Sequence, residues 1–182
     1  YERAVWHDPG LLASWRALLA LYGDDPAQAR RRQLAERHAE HLAALPRELQ
    51  TVTSLLHEGD LAQADRLCRH FLRGHREHVE GMRLLAAIGE RLDVLPDAEF
   101  LLETALELEP DNVRCRYDYA NLLLKMQKFG RAHEQTARLV REDPEELSFL
   151  ALHANAASGI GAYDEAVALY DRVLAAAPAQ HR

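Results

Sequence analysis

Cysteine is nearly absent from this 182-residue chain. Cys68 and Cys115 are its only two, too few for a disulfide framework, and the expectation is a reducing, cytoplasmic setting in which both are small buried side chains. No stretch approaches the roughly 18 apolar residues of a membrane span, so no membrane partner is expected. Tyr1-Glu2-Arg3-Ala4 is not followed by the apolar h-region of a signal peptide. Basic side chains are outnumbered, 22 against 29, and the net charge of −7 argues against a general nucleic-acid binder.

The motifs of catalysis are missing as well. There is no Gly-x-Ser-x-Gly nucleophile elbow and no Gly-rich loop ending in Lys-Ser or Lys-Thr to cradle phosphate. Gly159-Ile160-Gly161 reads as a hairpin turn, with glycine there for backbone reasons. Among the ten histidines, His38 and His41 share a helical face, and His70, His75 and His78 cluster around a loop. Neither group has the spacing of a zinc finger or of His-Glu-x-x-His, so exposed histidines are expected and no metal site. Glu103, Glu107 and Glu109 read as a solvated helix face. Arg30-Arg31-Arg32 with Arg37 reads as the polar face of a helix, interleaved with Glu36 and Glu40. No catalytic residue and no cofactor are expected in this segment.

What the chain does have is a period. Ala64, Ala98, Ala132 and Ala166 stand 34 residues apart, and Pro110, Pro144 and Pro178 keep the same interval at another phase. With each proline at position 32, the frame gives repeats 45–78, 79–112, 113–146 and 147–180. Position 8 then holds Val52, Ala86, Ala120 and Ala154, and position 20 the four alanines, small groups where two helices cross closely. Position 17 holds Leu61, Leu95, Phe129 and Tyr163, bulky groups to fill the wedge beside the crossing. Position 28 holds Leu72, Leu106, Val140 and Leu174, facing the next hairpin. Within 79–112, Met82, Leu85, Ala86 and Ile88 recur with helical period, as do Ala98, Leu101, Leu102, Ala105 and Leu106. Pro96 suits the start of the second helix and Pro110 its end. Turns are predicted at Gly59-Asp60, Gln127-Lys128 and Gly161-Ala162, with Asp60 capping the helix that follows.

The frame extends less cleanly towards the amino terminus. Trp15, Leu18 and Tyr22 occupy positions 4, 7 and 11 of a helix over 11–23, and 26–44 supplies its partner, with Leu34, Ala35, Ala39 and Leu42 on one side. Residues 11–44 thus form a degenerate repeat. Residues 1–10, Tyr1 to Pro9 in positions 24 to 32, read as the end of a truncated one. The chain starts inside a repeat and stops just after Pro178, so the expectation is a segment cut from a longer array, able to dimerise through its exposed ends.

Small residues at positions 8 and 20, a bulky one at 17 and proline at 32 resemble the tetratricopeptide repeat over about three-quarters of the chain. The resemblance implies an all-α fold, a right-handed α-solenoid of stacked antiparallel helix hairpins, that binds other molecules rather than transforms them. It implies that the first helices line a concave groove into which positions 2, 5, 9, 12 and 13 project. On this chain those positions include Glu80, Arg83, Glu90 and Arg91, then Arg114, Tyr117, Asn121, Leu124 and Lys125, then Ser148, Asn155 and Ser158. Arg83, Arg114, Tyr117, Asn121, Lys125 and Asn155 are the candidate peptide-binding residues. The two asparagines would read a peptide backbone, and the cations would favour an acidic protein or peptide segment. The two-carboxylate clamp for chaperone tails is not matched, since its positions hold Arg83, Ala87, Asp118, Ser148 and Leu152.

A second resemblance rests on the stretches 75–86 and 97–102, Tyr117-Asp118-Tyr119-Ala120, and Gly161-Ala162-Tyr163-Asp164-Glu165-Ala166. These are similar to the amino-terminal repeats of bacterial tetratricopeptide proteins that carry a carboxy-terminal sulfotransferase domain. That likeness implies an array positioning a substrate or partner for an enzyme that uses 3′-phosphoadenylyl sulfate, with no catalytic group in this segment.

Overall fold

A computed structural model of the protein describes residues 12–23 and 28–176, apart from the side chains of Arg30 and Leu34. The truncated repeat expected over 1–10, the Leu34 contact and Pro178 lie outside the described residues. Within them every regular element is a helix: α1 (Leu12–Tyr22), α2 (Ala29–Ala44), α3 (Arg47–Glu58), α4 (Leu61–Gly74), α5 (Val79–Arg91), α6 (Leu95–Leu108), α7 (Val113–Lys125), α8 (Phe129–Glu142), α9 (Leu147–Gly159) and α10 (Tyr163–Ala176). No helix among them is long and apolar enough to cross a membrane.

The chain forms two compact units that divide between Leu92 and Asp93. In the first, α1 packs on α2, α3 on α4, and α5 on both α3 and α4. In the second, each helix packs on the next from α6 to α10, and α7 also touches α9. Both are stacks of antiparallel helix hairpins, the all-α architecture of a solenoid. The division falls inside the stretch 79–112, so the compact units are out of phase with the 34-residue frame.

The small-residue ladder is the dry centre of these stacks. Ala64, Ala98 and Ala132 have no exposed surface, Ala166 almost none, and Val52, Ala86, Ala120 and Ala154 are equally buried. A methyl group at such a point lets two backbones approach closely, and a larger one would force them apart. Around it pack Leu49, Ile88, Leu122, Leu123, Leu139 and Leu150, all fully buried. At the amino-terminal end Leu18, Tyr22 and Ala35 make a smaller cluster with Trp15 and Leu19 against it.

The caps and turns repeat with the ladder. Position 34 begins the first helix of each hairpin: His78 Nδ1 accepts the Gly81 N–H, Asn112 Oδ1 that of Cys115, and the Glu146 carboxylate that of Ser148. Asp60 caps α4 by accepting the Gln63 N–H. Position 15 must turn the chain through the left-handed region, and Gly59 (φ 86°), Asp93 (61°), Gln127 (58°) and Gly161 (83°) all do so. Glycine enters that region freely, whereas a Cβ there is crowded. The two glycines suit this turn, and Asp93 and Gln127 are strained in it.

Two sequence expectations need correction. Tyr163 and Leu174 hold positions 17 and 28 but are 67% and 70% exposed, because no described helix follows α10 to receive them. Gly159 is in helical conformation and owes nothing to the turn. The ring of Phe129 lies against its backbone, and a Cβ at 159 would collide with that ring.

Candidate functional site

On the second unit, α7 and α9 run side by side, and each contributes an aromatic ring to their shared face. Tyr117 and Phe149 lie 5.8 Å apart, centroid to centroid, tilted by 44°. Both are half-buried, with Leu124, on a cluster of Ala120, Leu139 and Leu152. A tilted pair of this kind presents ring edges and faces without being consumed by the core. Asn121 follows Tyr117 by one helical turn, and its amide nitrogen donates to the Tyr117 carbonyl at 3.0 Å. Asn155 holds the same repeat position on α9 and accepts a hydrogen bond from the Tyr170 hydroxyl of α10. Half-buried Arg114 and exposed Lys125 stand at the two ends of α7. Five of the six residues singled out from the sequence therefore lie on α7 and α9.

Arg83 belongs to the first unit and has a structural task. Its guanidinium donates to both oxygens of Glu80, at 2.9 and 2.6 Å, and His41 approaches the same carboxylate at 3.0 Å. Burial works to raise the Glu80 pKa, but hydrogen bonds from Arg83 and His41 outweigh it and hold the carboxyl down at about 2. Arg91 is committed too, donating to the Leu56 carbonyl at the end of α3, where a cation meets unpaired helix carbonyls.

The opposite side of α7 faces a charged cluster that the sequence did not disclose. Glu99 on α6, only 8% exposed, receives Lys128 and Arg131, each at 2.7 Å. Glu103 accepts from the Tyr119 hydroxyl at 2.8 Å and from Arg131, and these hydrogen bonds hold its carboxyl below the usual range. Glu103 is thus a partner in a network rather than a solvated helix residue. Beside it opens a cleft of about 370 Å³ lined by Glu107, Arg116, Gln135 and Arg138, among others. Arg116 there is itself spent on the Pro110 carbonyl and on Gln135.

The histidines singled out by spacing serve local structure. His38 packs on Trp15, His75 stacks on Phe71, and His78 meets the edge of Phe71 while capping α5. Convergence occurs elsewhere. His133 on α8, His153 on α9 and Glu165 on α10 bring three ligand atoms within 4.8 Å of one another. A repeat-register signal existed, because position 21 of one hairpin faces positions 7 and 19 of the next. Spacing along a single helix conceals it. Cys68 and Cys115 are buried free thiols, and burial pushes Cys68 up to about 12, leaving it inert.

Residues 95–156 match a family model described as a tetratricopeptide repeat, so this segment, which contains α7 and most of α9, carries such repeats. Solved structures show the same fold at low identity. YrrB, described as a TPR protein with an unusual peptide-binding site, is 15% identical with a TM-score of 0.65, over 98% of this chain and 93% of its own. A MamA fragment (41-end) from Desulfovibrio magneticus RS-1 is 17% identical with a TM-score of 0.67, over 72% and 74%. A further MamA structure is 19% identical with a TM-score of 0.64, over 83% and 94%. No curated protein matches the chain.

Proposed function

We propose that this chain is a tetratricopeptide scaffold that binds an extended, acidic peptide segment of a partner protein across the α7–α9 face. The observation that carries this reading is the half-buried Tyr117–Phe149 pair, with Asn121 one turn from Tyr117 and Asn155 at the equivalent repeat position on α9. Such rings offer apolar area at low entropic cost. An amide has two donors and an acceptor, so one internal hydrogen bond at Asn121 or Asn155 leaves capacity for a peptide backbone. Arg114 and Lys125 supply the charge preference. Arg83 is not part of the proposed surface, since Glu80 already holds it. The peptide-binding site described for YrrB supports a ligand of the same class, through likeness of fold. The alternative of an array serving a sulfotransferase rests on the sequence resemblance alone. Cytoplasmic residence and dimerisation through array ends likewise remain expectations from the sequence.

The test uses random peptides displayed on phage and selected against the immobilised chain. Selected peptides are expected to be rich in Asp and Glu. The double variant Asn121→Ala/Asn155→Ala should bind them roughly ten-fold more weakly, the size expected for two lost hydrogen bonds, with an unchanged helical circular-dichroism signal. Equal affinity for wild type and variant would remove the two asparagines from the site.

A further inference from the structure

We propose that His133, His153 and Glu165 bind a divalent transition-metal ion of the zinc class, which ties α8, α9 and α10 together. Three features of the geometry carry this. The first is convergence: Glu165 places one carboxylate oxygen 3.1 Å from His133 Nε2 and the other 3.2 Å from His153 Nε2. Bonds of about 2.0–2.2 Å to a tetrahedral zinc ion separate neighbouring ligand atoms by roughly 3.4 Å, so both His–Glu distances already suit one ion, while the three ligand atoms, now within 4.8 Å of one another, draw together on binding.

The second feature is how His153 is held. Its Nδ1 lies 2.8 Å from the Thr136 hydroxyl oxygen, and that hydroxyl also lies 2.9 Å from the Ala132 carbonyl. With the hydroxyl proton on the carbonyl, the oxygen accepts from His153 Nδ1–H and Nε2 carries a lone pair. In that tautomer Nε2 faces a carboxylate oxygen 3.2 Å away as a second acceptor, and a cation placed between them satisfies both. A histidine anchored through its second nitrogen by a buried group is how metal ligands are commonly oriented. Thr136 has no exposed surface, so this support is rigid.

The third feature is enclosure. His153 is 6% exposed and the ring of His133 lies 4.5 Å away. Two imidazoles and one carboxylate suit zinc, cobalt, nickel or copper, whereas magnesium and calcium prefer oxygen alone. Three protein ligands leave a fourth position for water or for a group from a partner.

The experiment takes the untagged chain, stripped with chelator, and titrates it with zinc chloride by calorimetry. Cobalt(II) chloride serves as a spectroscopic probe. One zinc per chain is expected, with a zinc-dependent rise in Tm and the visible bands of a four-coordinate cobalt complex. Magnesium chloride should give neither. Glu165→Gln, at a partly exposed side chain, and His133→Ala, at a half-buried one, should each weaken zinc binding at least about ten-fold, since removing even a supporting group does that much. Absence of stoichiometric zinc binding, or unchanged affinity in Glu165→Gln, overturns the proposal and leaves the three side chains as an ordinary hydrogen-bonded cluster.

Discussion

The two units share one alanine ladder and differ in what they build on it. In the first, the described polar contacts gather on α5: Arg83 holds Glu80 from the same helix, His41 reaches that carboxylate from α2, and Arg91 donates to the Leu56 carbonyl of α3. In the second, they form larger clusters: Glu99 of α6 with both Lys128 and Arg131 at the start of α8, and His133 and His153 with Glu165 over α8, α9 and α10. The second also presents the Tyr117–Phe149 pair. The contrast shows that the period dictates backbone spacing and leaves the surfaces of each hairpin free to diverge.

Substitutions can break this contrast or sharpen it. The largest effect should come from the shared ladder: Ala64→Leu and Ala132→Leu each overpack a fully buried crossing and should cost about 3 kcal/mol or more in urea denaturation. A normal Cm for either variant would mean that the crossing has been placed wrongly. Next comes acid. The Glu80 carboxyl, 11% exposed, is held at about 2 against 4.5, so its stabilisation is complete above pH 4.5 and is lost as pH falls from there towards 2. The loss should be on the order of 2–3 kcal/mol, and Glu80→Gln should flatten that part of the stability curve.

Gly159→Ala is smaller and has a telling sign. Alanine normally stabilises a helix by about 1 kcal/mol over glycine, yet here it should destabilise by about 1 kcal/mol because Phe129 must move. A rise in Tm would show that the ring yields freely. The smallest effect is at the turns: Gln127→Gly should relieve the left-handed strain and gain about 0.5–1 kcal/mol, while Gly59→Gln should lose a similar amount. Equal stability of wild type and both variants would show that the turn does not load the backbone.

Much of the fold was legible because each ladder position is constrained within its own hairpin. Ala98 or Asp60 reports its environment through size or capping chemistry alone, and Pro96 sits at the start of α6 as its chemistry requires. The candidate face was partly legible, since repeat register places Tyr117, Asn121 and Asn155 on first helices. Phe149 was missed because position 3 holds Gly81 and Cys115 in the preceding repeats, so no periodic signal marks an aromatic there. The pairing of Glu99 and the meeting of His133, His153 and Glu165 were not legible from spacing along a helix. They depend on which side chains two successive hairpins turn towards each other.

The most direct measurement is nuclear magnetic resonance of the backbone amides while an acidic peptide from the phage selection is added to the chain. The account predicts the largest shifts on α7 and α9, around Tyr117, Asn121, Phe149 and Asn155. Shifts confined to α8 and α10, or to the cleft lined by Glu107, Gln135 and Arg138, would contradict it.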